Sequence, residues 1–429
     1  MFPSNALAVY VHIPFCRQKC LYCDFYSLPL SSLKDRKMGG VEVKDYTTAV
    51  LKELATYLNF FHRSGAKNLL RLSSLYVGGG TPTSLPVEQL SALIIGCLHK
   101  FAGVKEGISK LDNGIEVTVE ANPETIDERY LTQLRKSGVN RLSLGVQSLD
   151  EGLLPALGRR HTVVDSLRAV KQARQTGFQN INLDLIYGLP GQSLKSWQTT
   201  LEGVLELYPE HISGYCLKIE PDTPFYQLFC QGALALPEED EEVAMFECLV
   251  DRLHRAGYRH YEIANFARPG YESVHNQVYW KNQEYLGLGP SAHSCLRGVL
   301  PSQVWKASAN RESGLEEREL RSSPVRFANY PDLTRYQRHL ESGHSPVEFA
   351  EVIKPELERA ETLFLGLRLR EGVSKSAFQQ RFGLTLDQAY PGVRTQLIQR
   401  GLLQEEGERI TLTSRALFVA NEVFREFLP

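Results

Sequence analysis

Six short β-rich runs alternate with six longer stretches of helical periodicity up to residue 256, and few architectures accept that rhythm. The candidate strands are Ala8–Ile13, Ser74–Val77, Glu116–Glu120, Arg141–Val146, Asn180–Ile186 and His211–Leu217. The candidate helices are Tyr46–Phe61, Val87–Phe101, Glu124–Ser137, Val163–Thr176, Leu194–Leu207 and Glu239–Ala256. Val163, Leu167, Val170 and Ala173 show the spacing of one buried helical face. A helix between successive strands makes neighbours parallel, and six such units predict an α/β fold built on an open, partial (β/α)6 barrel of the TIM type. In such barrels chemistry gathers at the carboxyl ends of the strands. Here those ends carry Gly78-Gly79-Gly80, Glu120-Ala121-Asn122, Gln147 and Asp184.

Two stretches break the rhythm. Ser31–Asp45 is polar, holds Gly39-Gly40 and reads as a loop, while Arg297–Pro331 mixes Ser, Pro, Arg and Glu without periodicity and reads as a linker or flap. After it, Leu363, Leu365, Leu367 and Leu369, a helix near Leu386–Gly401 and an alternating Arg409–Thr413 suggest a small α+β unit of winged-helix type. The expected organisation is residues 1–296 as barrel, 297–354 as linker or insertion, and 355–429 as the C-terminal domain.

The net charge of −2 gives no global basic field for nucleic acid. Arg400–Pro429, which would hold a helix and wing, has four arginines against five glutamates, so it too lacks a basic footprint. No apolar run reaches the ~18 residues of a membrane span, and Leu7–Ile13 has neither the basic start nor the cleavage site of a signal peptide. Of eight cysteines only three cluster; Cys97, Cys216, Cys230, Cys248 and Cys295 are scattered, as structural thiols of a reducing cytoplasm are.

The clustered three stand in His12-Ile-Pro-Phe-Cys16-Arg-Gln-Lys-Cys20-Leu-Tyr-Cys23, just past the first strand. Thiolates favour iron–sulfur clusters or zinc. A structural zinc prefers four protein ligands, for which His12 is the nearest extra donor. Three cysteines suit a [4Fe–4S] cubane with one iron left open to an amino and carboxylate chelate such as S-adenosylmethionine (SAM).

The C-x3-C-x2-C pattern after a first barrel strand resembles the hallmark of the radical SAM superfamily. Tyr10-Val-His-Ile-Pro-Phe-Cys16 is similar to the branch that holds oxygen-independent coproporphyrinogen III dehydrogenase and the HemW-type haem chaperones. The resemblance runs from Tyr10 to the C-terminal domain. It implies Cys16, Cys20 and Cys23 as cluster ligands. For SAM it implies a site lined by Tyr10, Tyr22, Gly79, Gly80, Thr81, Glu120, Gln147, Arg159 and Asp184. Glu120 then accepts from the ribose hydroxyls, Arg159 holds the SAM carboxylate, and the glycine loop meets the methionyl amino group.

Within that branch, the dehydrogenase resembles C-x3-C-x2-C-x-C with a long extension before its cysteines. Here Phe25 stands at the fourth cysteine and fifteen residues precede Cys16. His275-Asn276-Gln277-Val278-Tyr279-Trp280 resembles the chaperones' H-N-x-x-Y-W signature and implies haem binding by His275, Asn276, Tyr279 and Trp280, with His293 a second candidate. On chemistry alone the same residues suit a buried aromatic corner with a hydrogen-bonded histidine. Arg297–Pro324 resembles an insertion relative to the family. The implied function is a cytoplasmic SAM- and cluster-binding protein that carries haem to haem-dependent proteins. The alternatives are oxidative decarboxylation of coproporphyrinogen III and a nucleic-acid-linked radical enzyme.

Overall fold

The computed structural model describes residues 6–31, 43–102, 114–297, 304 and 323–429. Strands β1 (Leu7–Ile13), β2 (Leu72–Gly79), β3 (Glu116–Ala121), β4 (Arg141–Gln147), β5 (Ile181–Tyr187) and β6 (His211–Cys216) lie side by side in chain order, all parallel. Helices α1 (Val43–Ser64), α2 (Val87–Ala102), α3 (Glu128–Lys136), α4 (Val163–Gln175) and α5 (Leu194–Glu206) connect them, and α6 (Glu239–Arg255) follows β6. Strand order that never doubles back is the winding of a (β/α) barrel rather than of a doubly wound sheet.

Alternation along each strand decides what faces what. Val9 and Val11, Leu75 and Val77, Val117 and Val119, Leu142 and Leu144, and Leu183 and Leu185 enter the main hydrophobic core. The intervening residues are polar: Tyr10, Ser74, Tyr76, Thr118, Glu120, Ser143, Asn182, Asp184 and Ser213. The register aligns them across strands, as in Tyr10↔Tyr76, Glu120↔Ser143 and Asp184↔Ser213. The sheet therefore has one apolar face under helices and one inner face lined with hydrogen-bonding groups.

Local chemistry sets the helix starts. Thr162 and Asp165 form a capping box on α4, and Asp127 caps α3. That cap, after a 3-10 turn at Pro123–Thr125, starts α3 later than the expected Glu124.

The sheet continues beyond the six units. After β6 come β7 (Arg259–His260), β8 (Asn265–Ala267) and α7 (Val274–Trp280). Then follow β9 (Tyr285–Leu288), β10 (His293–Arg297), β11 (Pro324–Asn329), α8 (Leu333–Glu341) and β12 (Val347–Val352). The order across the sheet is β12-β11-β10-β9-β1-β2-β3-β4-β5-β6-β8-β7, with β9 parallel to β1.

This corrects the expected linker over 297–354: Pro324–Val352 is a strand, a helix and a strand of the main sheet. Edge pairing, not internal periodicity, specifies these strands, through Cys295↔Arg326 and Phe327↔Ala350. The rest of that stretch, apart from Arg297, Val304, Ser323, Ile353 and Lys354, lies outside the described residues, as does most of the expected Ser31–Asp45 loop.

Helix α9 (Pro355–Gly366) opens a C-terminal unit with its own core, built on Leu363, Leu367, Phe378, Leu397, Ile410 and Phe424. It holds a three-stranded sheet of β13 (Val373–Ser374), β14 (Leu403–Glu406) and β15 (Arg409–Leu412). The helix expected over Leu386–Gly401 is two, Leu386–Ala389 and Val393–Gln399, broken at Pro391-Gly392. Glu358, held within the unit by Arg381 at 2.9 Å, pairs with Arg297 at 2.5 Å, and Glu361 pairs with Arg326 at 2.6 Å; the pairs with Arg297 and Arg326 tie the unit to the sheet.

Candidate functional site

The cysteine loop leaves β1 at Ile13 and crosses the carboxyl ends of β1 and β2. Phe15–Cys16 pairs with Leu28–Pro29, so the loop closes on its own base. Gly80 donates to the Ile13 carbonyl at 2.8 Å and Thr81 to the Phe15 carbonyl at 2.7 Å. The approach is close enough that a Cβ on Gly80 would lie 2.7 Å from the Phe15 oxygen and 2.9 Å from Cys16 Sγ. Gly79 has φ 111°, and its own Cβ would strike the His12 ring at 2.7 Å. The glycine triplet is thus the seat of the cysteine loop.

Cys16, Cys20 and Cys23 are all free thiols, with Cys16 buried and 3.5 Å from Thr81 Oγ1. Burial pushes the Cys23 thiol up to about 11 and raises Cys16 as well, so each needs an electropositive partner to be held as thiolate. His12 is not an available fourth donor. Its Nε2 meets the Tyr26 carbonyl at 2.8 Å and its Nδ1 the Tyr10 hydroxyl at 3.0 Å. Among the described residues no three His, Cys, Asp or Glu converge as a ready cage for a single metal ion. The donor set that remains, three thiols on one loop over a glycine turn, fits a cluster with three protein ligands.

Beside the loop, at the ends of β2 to β5, stand the residues expected to meet SAM. The Glu120 carboxylate accepts from Tyr76 Oη at 2.8 Å and from the Gly79 amide at 3.1 Å. Burial pushes it up to about 7, against the pull of those two donors. Asp184 accepts from Ser143 Oγ at 2.9 Å and Asn182 Nδ2 at 2.8 Å. Arg159 donates to Asn122 Oδ1 at 2.8 Å and to Tyr22 Oη at 2.7 Å, while Asn122 Nδ2 reaches Thr81 Oγ1 at 3.3 Å. One chain of contacts therefore joins the cysteine loop, the glycine turn and Arg159, and among the described residues Arg159 Nε has no partner. Gln147 ends β4 with φ 65° after a bulge, a left-handed backbone that turns its side chain out of the strand pattern. Tyr10 lies deeper on the inner face, 6.2 Å from the Tyr76 ring.

The structure thus gathers Tyr22, Gly79, Gly80, Thr81, Glu120, Gln147, Arg159 and Asp184 around one mouth. Sequence reasoning placed Asn122 at a strand end without a role and missed Tyr76 and Ser143; all three hold the charged groups in place. Their signal is a polar residue at every second position of an otherwise apolar strand.

The two histidines expected near haem part company. His275 is 2% exposed on α7, which packs on the inner face. Its ring stacks on Tyr76 at 5.0 Å, with Nδ1 2.9 Å from Ser74 Oγ and Nε2 3.0 Å from Tyr279 Oη. Burial, and then the Arg141 charge, pushes it down to about 3, so it is neutral. Glu116 accepts the Val274 and His275 amides at 3.1 and 3.0 Å, seating the helix start. Tyr279 meets Tyr285 edge to face, and Arg368 of the C-terminal unit lies 5.0 Å over Trp280. Asn276 is half-buried. His293, by contrast, is exposed at the start of β10, just past the turn by which β9 leaves the mouth.

The profile of the Radical SAM superfamily matches residues 10–204, and that of the HemN C-terminal domain matches residues 353–419. The Heme chaperone HemW of Bacillus subtilis is 35% identical over 421 residues, 98% of this chain and 99% of that protein. The Escherichia coli Heme chaperone HemW is 32% identical over 426 residues, 98% of each. Among solved structures, coproporphyrinogen III oxidase (HemN) from Escherichia coli, a radical SAM enzyme, superposes with a TM-score of 0.75 at 22% identity, covering 99% of this chain and 91% of that one.

Proposed function

The chain belongs to the radical SAM superfamily and, within it, to the Heme chaperone HemW family, and from that membership we propose that it binds haem and hands it to haem-dependent proteins. The observation that carries the reading is end-to-end similarity at 35% identity to a relative of that name. Phe25, 62% exposed where the dehydrogenase pattern has a fourth cysteine, separates it from decarboxylation of coproporphyrinogen III.

We assign the [4Fe–4S] cluster to Cys16, Cys20 and Cys23, and SAM to Tyr10, Tyr22, Gly79, Gly80, Thr81, Glu120, Gln147, Arg159 and Asp184. When bound, such a cluster supplies an open iron that chelates SAM and, on reduction, the electron for its cleavage. The chain's own groups do the positioning. Glu120 and Asp184 offer carboxylates held by neighbouring donors, and Arg159 offers a fixed cation beside the loop.

For haem we propose the segment of His275, Asn276, Tyr279 and Trp280, on one condition drawn from the hydrogen bonds. His275 Nε2 becomes a ligand only when the Tyr279 hydroxyl lets it go. His293 is the exposed alternative. No helix among the described residues is long and apolar enough to cross a membrane; a cytoplasmic place of work is proposed from the free cysteines.

The test is a single anaerobically reconstituted sample given haemin and, separately, coproporphyrinogen III with SAM and reductant. A Soret band without formation of protoporphyrinogen IX is expected. Catalytic conversion without specific haem uptake reverses the reading.

A further inference from the structure

Arg141, the first residue of β4, points into the inner face and is 2% exposed. Among the described residues its guanidinium has neither a hydrogen bond nor an ion pair, and its Nε is fully enclosed without a partner. Thr118, its register partner on β3, is completely buried with an unpartnered Oγ1.

The groups near enough to feel the Arg141 charge are Tyr76, Glu120, His211, Tyr261 and His275. Three of them are engaged elsewhere. Glu120 serves Tyr76 and Gly79. His211 is held between Asn182 at 2.6 Å and Tyr261 at 2.8 Å. His275 is held between Ser74 and Tyr279. Glu120, the carboxylate among them, makes no ion pair with Arg141, and a buried guanidinium without a direct anionic partner is a costly arrangement.

We propose that Arg141 and Thr118 form a carboxylate site inside the barrel, beneath the adenosyl residues. A carboxylate matches the planar fork of a guanidinium in two parallel bonds and accepts the threonine hydroxyl besides. The level of Arg141 and Thr118 is two residues below Glu120 along β3, about 7 Å. A group there sits deeper than the mouth but within reach of a short flexible acid whose body stays above. A propionate arm of a tetrapyrrole has that form, and a free small carboxylate shares the chemistry. The choice of tetrapyrrole rests on the haem reading; the site itself does not.

The experiment compares haemin, haemin dimethyl ester and sodium propionate on the full-length reconstituted protein, the Arg141→Met variant and the Arg141→Lys variant. The wild type is expected to bind haemin at least about tenfold more tightly than the ester, as a charge-assisted pair implies. Arg141→Met should bind the two alike, and Arg141→Lys should keep part of the preference. Ligand-free Arg141→Met should melt no lower than wild type, since it removes an unanswered charge. A wild-type preference retained in Arg141→Met overturns the site. So does an Arg141→Met protein that melts well below wild type, because Arg141 is then a structural counter-ion. Should haemin fail to bind the wild type, the haem reading falls and propionate decides the site. Propionate must then raise the melting temperature of wild type but not of Arg141→Met, and no effect on either refutes it.

Discussion

Glu120 is the group at the mouth whose charge state depends most on conditions near neutrality, and its titration gives a direct test of the adenosyl assignment. Its carboxyl is pushed up to about 7, chiefly by burial and further by Asp184, against the donors Tyr76 and Gly79 and the charge of Arg141. A ribose diol donates hydrogen bonds, so it needs the ionised carboxylate. With a midpoint near 7, roughly nine-tenths of the molecules are ionised at pH 8 and roughly one-tenth at pH 6. Apparent affinity falls with the competent fraction, so binding should weaken about tenfold over that interval, or about 1.4 kcal/mol.

The probe should be 5′-deoxyadenosine, which has the diol but no amine or carboxylate that titrates there. Calorimetry at several pH values reads the slope, with cluster absorbance as the control. Glu120→Gln should bind about 1–3 kcal/mol more weakly at pH 8, and its residual affinity should not vary with pH. Tyr76→Phe removes one donor from the ionised form, so its fall in affinity should begin at higher pH than in wild type. A flat wild-type profile, or a slope that survives in Glu120→Gln, refutes the assignment of Glu120 to the ribose.

Three further outcomes are expected. Alanine at Cys16, Cys20 or Cys23 should abolish the broad absorbance near ~400 nm and the uptake of about four irons per chain, whereas Cys97→Ala, on the buried face of α2, should keep both. Tyr279→Phe, which frees His275 Nε2, should bind haemin at least as tightly as wild type, while His275→Ala should lose or shift the Soret band. A band unchanged in His275→Ala but lost in His293→Ala moves the iron ligand to the mouth. Glu53 is buried between Tyr336 at 2.6 Å, Asn329 at 2.7 Å and the Gly289 amide at 3.0 Å, and is pushed up to about 7 by burial. A raised carboxyl favours the fold below its unfolded value near 4.5 and loses that contribution as pH rises through about 7. The loss is roughly 3 kcal/mol, and Glu53→Gln should melt with less dependence on pH than wild type across that window.

The barrel was legible because strand and helix have different periods and the two alternate six times. Glu120 and Asp184 were legible because charge inside an apolar strand needs a reason. The far side of the sheet was not: β11 and β12 are specified by partners distant in sequence, and β7 and β8 span two or three residues, too short for any period. His275 shows a second limit. A signature fixes which residue types stand together, but not which way they turn. Here helix α7 turns the ring toward Ser74 and Tyr76, and the burial comes from strands two hundred residues earlier. Tyr76 and Ser143 escaped notice because each is an ordinary residue alone and acquires meaning only from its neighbour in the sheet.

The fastening of the cysteine loop bears on how the protein is matured and damaged. Leu28 donates to the Pro14 carbonyl at 2.7 Å, Leu30 to Cys16 at 2.8 Å, Leu21 to Leu157 at 3.1 Å and Phe225 to Leu21 at 3.0 Å. With the His12–Tyr26 bond and the glycine seat, these fasten the loop's backbone through contacts that involve no iron. In small zinc modules metal affinity is consumed in ordering the chain. Here the loop is fastened by hydrogen bonds of its own, so less of the cluster's binding energy should be spent on ordering it. Stripping the iron with a chelator should leave the melting temperature nearly unchanged and the loop resistant to proteases. Protein bleached by oxygen should then be refillable without passing through an unfolded state, for as long as its three sulfurs stay reduced.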